Sequence, residues 1–423
     1  MTWLTTAFLA ALILHLAVES WLAIRQMAYV SKHRDHVPPS FSGAVSPADH
    51  AKAADYTVAR QRLGMLEAVF DSAILLLLTL GGGIARLGEF TYRWFDDPLL
   101  RGTAHVLAVL ALLAVVSIPF SAYRTFVLEE RFGFNRTTVR MFLSDLLKGG
   151  ILSLLLGGAV IAAVLAIMGS ADRAWWLIAW LAWLGFSLLV TWAWPRFIAP
   201  LFNKFTPLAS GELRSRIDAL LSRCGFEADS IYVMDGSRRS AHGNAYFTGL
   251  GRHKRIVLFD TLLSSLTPVQ AEAVLAHELA HFRLRHVPQR LLAAAAMTFA
   301  GFALLGWLAG KPWFYTSFGV PQPSDAAALL LFVLVSPVFT WIVSPALAAW
   351  SRRHEFEADG FAVEHSDGSS LAEALVALYR DNASTLTPDP VYSAFYDSHP
   401  PPVRRVARIE SARATPSGRH AEA

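Results

Sequence analysis

Apolar and polar residues alternate along this chain in blocks whose length suits a lipid bilayer better than a globular core. A membrane-crossing helix needs about 20 largely apolar residues. Six stretches meet or approach that length without a Lys, Arg, Asp or Glu: residues 1–18, 103–123, 149–171, 174–195, 291–310 and 326–351. A seventh, residues 63–85, is weaker because it carries Glu67 and Asp71. The pattern predicts a mainly α, polytopic membrane protein with seven spans. The first stretch has no Lys or Arg ahead of it and meets its first charge at Glu19, so it reads as a retained span rather than a cleaved signal peptide.

Residues 196–290 interrupt the apolar blocks and are long enough for a small insert domain. Within them, residues 231–235, 245–247 and 255–260 are rich in Ile, Val, Tyr and Phe and read as short strands. Residues 249–253 look like the turn between the last two. The expected organisation is a membrane domain of five spans (1–195), the insert (196–290), a helix pair (291–351), a polar segment (352–410) and a disordered tail (411–423). No internal repeat of 20–50 residues is visible.

Composition sharpens this picture. The chain is 54% hydrophobic and 17% charged, against about 25% charged in an average soluble protein. That excludes an ordinary soluble enzyme, a disordered chain and a disulfide scaffold. The single cysteine, Cys224, leaves no intrachain disulfide and no cysteine-based zinc site. The net charge of +4 includes no basic run with interleaved aromatics, which argues against nucleic acid. Lys and Arg crowd the loops after the first and third spans, from Arg25 to Arg62 and from Arg124 to Lys148. The loops after the fourth and sixth spans hold only Arg173 and Lys311. This bias places the N-terminus outside and the insert and C-terminus in the cytoplasm. The loop over residues 86–101 fits less well, with three Arg on the outer side.

The chemistry lies in the insert. Thr267 can cap a helix, Pro268 suits its first position and Gln270 can complete a capping box. That helix carries His277-Glu278-Leu279-Ala280-His281. Residues four apart share a helix face, so both imidazoles can reach one ion. Glu278 sits one step round, able to take a proton from a water held there. This is the H-E-x-x-H pattern of zinc hydrolases. Two satisfied core histidines are the bland alternative, but two buried His and a Glu on an apolar helix are costly without a partner.

A zinc hydrolase needs a third ligand. Arg352-Arg353-His354-Glu355-Phe356-Glu357-Ala358-Asp359 offers one. Glu355 can ligate, and Asp359, four residues on, can accept the second N–H of a ligand histidine. By itself this run reads more readily as a solvated juxtamembrane charge cluster. Topology favours the ligand: two spans separate His281 from Glu355, and an even number of crossings returns the chain to the same face. His399-Pro400-Pro401-Pro402-Val403-Arg404-Arg405 is a third candidate. His399 can stabilise an oxyanion and Arg405 can pair with a carboxylate. From spacing alone, a Pro-rich turn before a basic terminal helix is the favoured reading.

Taken together these motifs resemble those of the type I CAAX prenyl proteases, integral-membrane zinc endopeptidases of the gluzincin class. The likeness covers nearly the whole chain. Besides the motifs above it includes Asn244-Ala245-Tyr246-Phe247-Thr248-Gly249, the run from Ile256 to Leu262, the run from Thr125 to Asn135, and Ile198-Ala199-Pro200-Leu201-Phe202-Asn203. The resemblance implies seven spans around a large water-filled chamber, with a zincin-like site at its cytoplasmic end. It implies one Zn2+ bound by His277, His281 and Glu355, supported by Asp359, with Glu278 as general base. It implies that Asn244 and Ala245 lie on an edge strand that pairs with an extended substrate. It further implies that His399 and Arg405 stabilise the transition state. His286 is left as a supporting or structural residue.

The expected partners are a peptide or protein substrate in extended form, lipidated or not, and membrane lipids. The Ala- and Arg-rich composition and the absence of a lysine-based retention signal look bacterial, which points to an inner membrane. Two other functions compete: quality-control proteolysis of membrane or unfolded proteins, and a non-catalytic transporter or lipid-binding protein, for which Glu67 and Asp71 would mark a pathway.

Overall fold

The computed structural model describes residues 2–170, 173–226, 230–248 and 255–414. Helices dominate it. Six are long and apolar enough to cross a membrane: Trp3–Lys32, Pro98–Glu129, Val139–Ser170, Trp175–Phe202, His286–Ala309 and Asp325–His365. A seventh span is counted if Pro47–Leu78 and Gly83–Tyr92, bent by 57° at their junction, act as one. The junction holds three consecutive glycines, and Gly82 at φ 72° adopts a left-handed turn that side chains resist. This is the region that Glu67 and Asp71 made weak as a span. Many large apolar side chains on the long helices are exposed, among them Leu147, Leu155, Leu189, Leu292 and Trp307. Apolar surface on that scale requires lipid around it.

Several helices outrun their apolar stretches. Trp3–Lys32 is 30 residues long and Asp325–His365 is 41. The latter is broken near Pro337 and resumes as Ser344–His365, which carries the last span out into the polar layer. Arg25, beyond the apolar part of the first helix, donates through Nε and Nη2 to Asp389 at 3.2 and 2.9 Å. The buried Asp389 caps the Pro390–Tyr396 helix, so the first span is tied to the polar layer.

That layer holds a four-stranded sheet: β1 (Phe205–Pro207), β2 (Ser230–Met234), β3 (Ala245–Thr248) and β4 (Arg255–Phe259). The order is β1-β2-β4-β3. β2 and β4 run parallel, and β1 and β3 add antiparallel on the outside. Three strands match the sequence expectation within a residue or two. β1 was not expected; at three residues it is too short to show a period. The turn expected over 249–253 lies outside the described residues.

Leu258, Ile256 and Ile231 of the sheet pack with Leu275 and Leu279 of Pro268–Arg283 and with Leu371 of Gly368–Asp381 in one apolar core. A separate core lies among the membrane helices around Phe8, Ile84, Val109, Phe318 and Leu330. The helix Pro402–Ala414 runs four residues into the stretch expected as tail, because Val406 and Ile409 anchor it in the core around the sheet.

Candidate active site

Three helices build the site. Pro268–Arg283 begins with the expected capping box, in which the Thr267 hydroxyl accepts from the Gln270 N–H and the Gln270 side chain accepts from the Thr267 N–H. This fixes the helix start; His277 and His281 fall on the side facing Ser344–His365, with Glu278 one position round. The second helix supplies Glu355 and Asp359, also one turn apart and both buried. The third, Pro402–Ala414, inserts Arg405.

The side chains converge. His277 Nε2 lies 3.4 Å from Glu355 Oε2, and His281 Nε2 lies 3.5 Å from Glu355 Oε1. Nitrogens of His277 and His281 and a carboxylate oxygen of Glu355 all lie within 4.8 Å of one another, a spacing that can hold a metal ion. His277 Nδ1 donates to Asp359 Oδ1 at 2.9 Å. Arg405 grips the same carboxylate with two bonds, Nε to Oδ2 at 2.7 Å and Nη2 to Oδ1 at 2.8 Å. His399 Nε2 reaches within 3.5 Å of Glu355 Oε2 from an exposed position.

A chain of hydrogen bonds sets the other tautomer. The Glu357 carboxylate can only accept, so His286 Nε2, 3.0 Å away, donates to it. Neutral His286 then accepts at Nδ1 from His281 Nδ1, also at 3.0 Å. His281 is thereby left with a lone pair on Nε2 on the side of Glu355, and His277 presents one there once its Nε2 proton is lost, as metal binding requires. His286 can reach back to His281 because Arg285 sits in the left-handed region at φ 61° and turns the chain sharply between the two helices.

The charges are unbalanced in a telling way. Three carboxyl groups, Glu278, Glu355 and Asp359, crowd a buried site that holds one guanidinium, Arg405. Burial and Arg405 push the His277 pKa down, but Asp359 and Glu355 outweigh them and hold it at about 9. Burial and the adjacent His277 drive His281 down to about 3. Burial also raises the Glu278 carboxyl. Glu355 Oε2 is buried with no hydrogen-bond partner. A divalent cation among His277, His281 and Glu355 answers both the charge and the orphaned oxygen, so the residues fit a zinc ion.

Two family descriptions match the chain: "CAAX prenyl protease N-terminal, five membrane helices" over residues 26–204, and "Peptidase family M48" over residues 207–413. CAAX prenyl protease 1 homolog of Arabidopsis thaliana is 34% identical, over 93% of this chain and 94% of its own. The chain belongs to the type I CAAX prenyl protease family. CAAX prenyl protease 1 of Saccharomyces cerevisiae is 32% identical over 93% of this chain and 92% of its own. The crystal structure of S. mikatae Ste24p superposes with a TM-score of 0.90 at 29% identity, covering 97% of this chain and 99% of that one. The chain is therefore an integral, multi-pass membrane metalloprotease with the family's fold, and the family implies a metal.

The site residues suggested by this family resemblance fall into two places. His277, Glu278, His281, Glu355, Asp359, His399 and Arg405 come together at the junction of the three helices. Asn244 and Ala245 stand apart from them on the sheet. Ala245 opens β3, an edge strand that pairs with β4 and, among the described residues, with no other strand. β3 also packs beside Pro268–Arg283. Asn244 precedes the strand, and its carbonyl accepts from Phe259 N at 3.0 Å. Glu357 and Tyr379 were not anticipated. Glu357 holds His286, and Tyr379 is a buried hydroxyl beside Arg405 whose pKa burial raises. The pairing of Glu357 with His286 spans 71 residues and leaves no local signature.

Proposed function

We propose that the chain is a zinc endopeptidase acting on extended substrates of the prenylated CAAX type. The observation that carries this reading is the convergence of His277, His281 and Glu355 around one point, with Glu278 beside it. Those three residues would hold the zinc, which when bound polarises the scissile carbonyl and lowers the pKa of water. Glu278 takes the proton from the attacking water and passes it to the leaving amine. Its burial, which raises the carboxyl pKa, suits it to this exchange. Asp359 orients His277, and Arg405 keeps Asp359 ionised and in place. His399, reaching the site from an exposed position, donates to the oxyanion as the carbonyl becomes tetrahedral. The outer edge of β3, led by Asn244 and Ala245, receives the substrate backbone as an added strand. The names of the relatives support the prenylated substrate class. The Lys and Arg bias supports a catalytic layer in the cytoplasm.

The test is cleavage of one fluorogenic peptide, with and without a farnesyl group, by detergent-purified wild type and Glu278→Gln. The Gln variant is expected to keep its metal and lose about 10²–10⁴-fold in rate. A fully active Gln variant overturns the mechanism. Strict dependence on the farnesyl group supports prenyl-protein processing, whereas equal cleavage of both peptides favours broader proteolysis.

A further inference from the structure

The spans Val139–Ser170 and Trp175–Phe202 form a hairpin, so the ends at Val139 and Phe202 return to one membrane face. The catalytic layer follows directly from Phe202. At that mouth lies a cavity of about 560 Å³ whose lining includes Arg140, Lys148, Lys204, Arg238 and Arg239, with Asp145 as its one carboxylate. Asp145 is already engaged, because Arg239 Nε and Nη2 donate to it at 3.0 and 3.2 Å. Arg238 pairs with Asp235 at 3.0 Å. Among the described residues, Arg140, Lys148 and Lys204 have no carboxylate partner; Lys148 Nζ donates only to the Leu201 carbonyl, at 2.9 Å. Three unpaired cations around one cavity repel one another, and an anion in their midst relieves that repulsion.

The surroundings say which kind of anion. Leu201 lines the cavity and is exposed, as are Leu143, Leu147 and Phe197 on the same helix pair. The cavity therefore opens where lysines and arginines give way to a lipid-facing apolar surface. A free phosphate would use the cations and leave the apolar rim bare. A phospholipid uses both, its phosphodiester among the cations and its acyl chains along the leucines. We propose that this cavity binds the headgroup of an anionic phospholipid. None of the residues placed in the active site lines it, so lipid occupancy and hydrolysis can be separated.

The experiment is native mass spectrometry of the detergent-purified full chain, incubated with phosphatidylglycerol or phosphatidylcholine. Wild type is expected to retain phosphatidylglycerol at least about tenfold more strongly. Each cation near a membrane surface contributes about fivefold to binding anionic lipid. The triple variant Arg140→Gln, Lys148→Gln, Lys204→Gln is therefore expected to lose the preference. Its metal content and its peptidase activity in detergent should stay unchanged, which shows that the fold is intact. Arg140→Lys, which keeps the charge, should keep the preference. Equal retention of the two lipids by wild type overturns the proposal, as does a preference that survives the triple variant. Displacement of phosphatidylglycerol by inorganic phosphate at equal concentration also overturns it, since the site would then be one for free phosphate.

Discussion

Two clusters of two histidines and one glutamate stand side by side in this protein: His277, His281 and Glu355, and His286, His354 and Glu357. Their composition is identical, and in both the potential ligand atoms crowd within 4.8 Å. The first cluster has its imidazoles nearly perpendicular, at 84°. In the second, the His286 and His354 rings are stacked at 4.0 Å and 5°. A metal ion binds in the plane of an imidazole, about 2.0–2.1 Å from its nitrogen. Two nearly parallel planes a stacking distance apart share no such point. The His286 nitrogens are moreover both engaged, one by His281 and one by Glu357. The second cluster is thus a hydrogen-bond relay that serves the first. Residue type brings ligands near one another, and ring orientation decides whether they become a metal site.

The comparison can be broken most directly at Glu355. Glu355→Ala is expected to lose the metal and all hydrolysis, measured as metal per chain after dialysis and as peptide cleavage. Retention of a full equivalent would falsify the assignment of the first cluster. Next in size is Arg405→Ala, which leaves Asp359 buried without its guanidinium. Loss of one partner of a buried pair costs about 3–5 kcal/mol, read as a fall in thermal unfolding temperature; an unchanged temperature contradicts the pairing. His286→Ala removes the relay while sparing the ligands. It should weaken metal retention by about 10–100-fold, followed by competition with a chelator, and His286→Asn should recover part of the loss. Equal affinity in the Ala variant means that His286 only fills space. The smallest effect is expected at His354, which meets the relay only by stacking. His354→Ala should bind one zinc per chain as wild type does. Wild type binding two, with one lost in this variant, would make the second cluster a metal site after all.

The membrane spans were legible because a run of about 20 apolar residues is a local property that few other structures produce. Residues 63–85 were the ambiguous case, and there the structure places a bend at Gly82 within the helix pair. The Pro268–Arg283 helix was also legible, down to the Thr267 and Gln270 cap, since capping depends on residues three apart. β1, with three residues, offered no period to read. The bases for Glu355, His399 and Arg405 were different. Motif spacing nominated them, crossing parity supported the first, and resemblance to a family supported all three. No role was read for Glu357 or Tyr379, because nothing near them in sequence marks His286 or Arg405 as their partners.

By itself the sequence determined which stretches are long and apolar enough to cross a bilayer, and which helix face carries both motif histidines. Those properties follow from side chains within a single continuous helix, where geometry is set by the backbone's own repeat. Only the tertiary structure decided that Glu355 meets His277 and His281, and that Arg405 closes on Asp359 across 46 residues of chain. It alone set the His286 ring against His354, so that one cluster points its lone pairs at a common centre and the other does not. These outcomes depend on how three helices pack around a shared core, and packing is a property of surfaces that no short stretch of sequence contains.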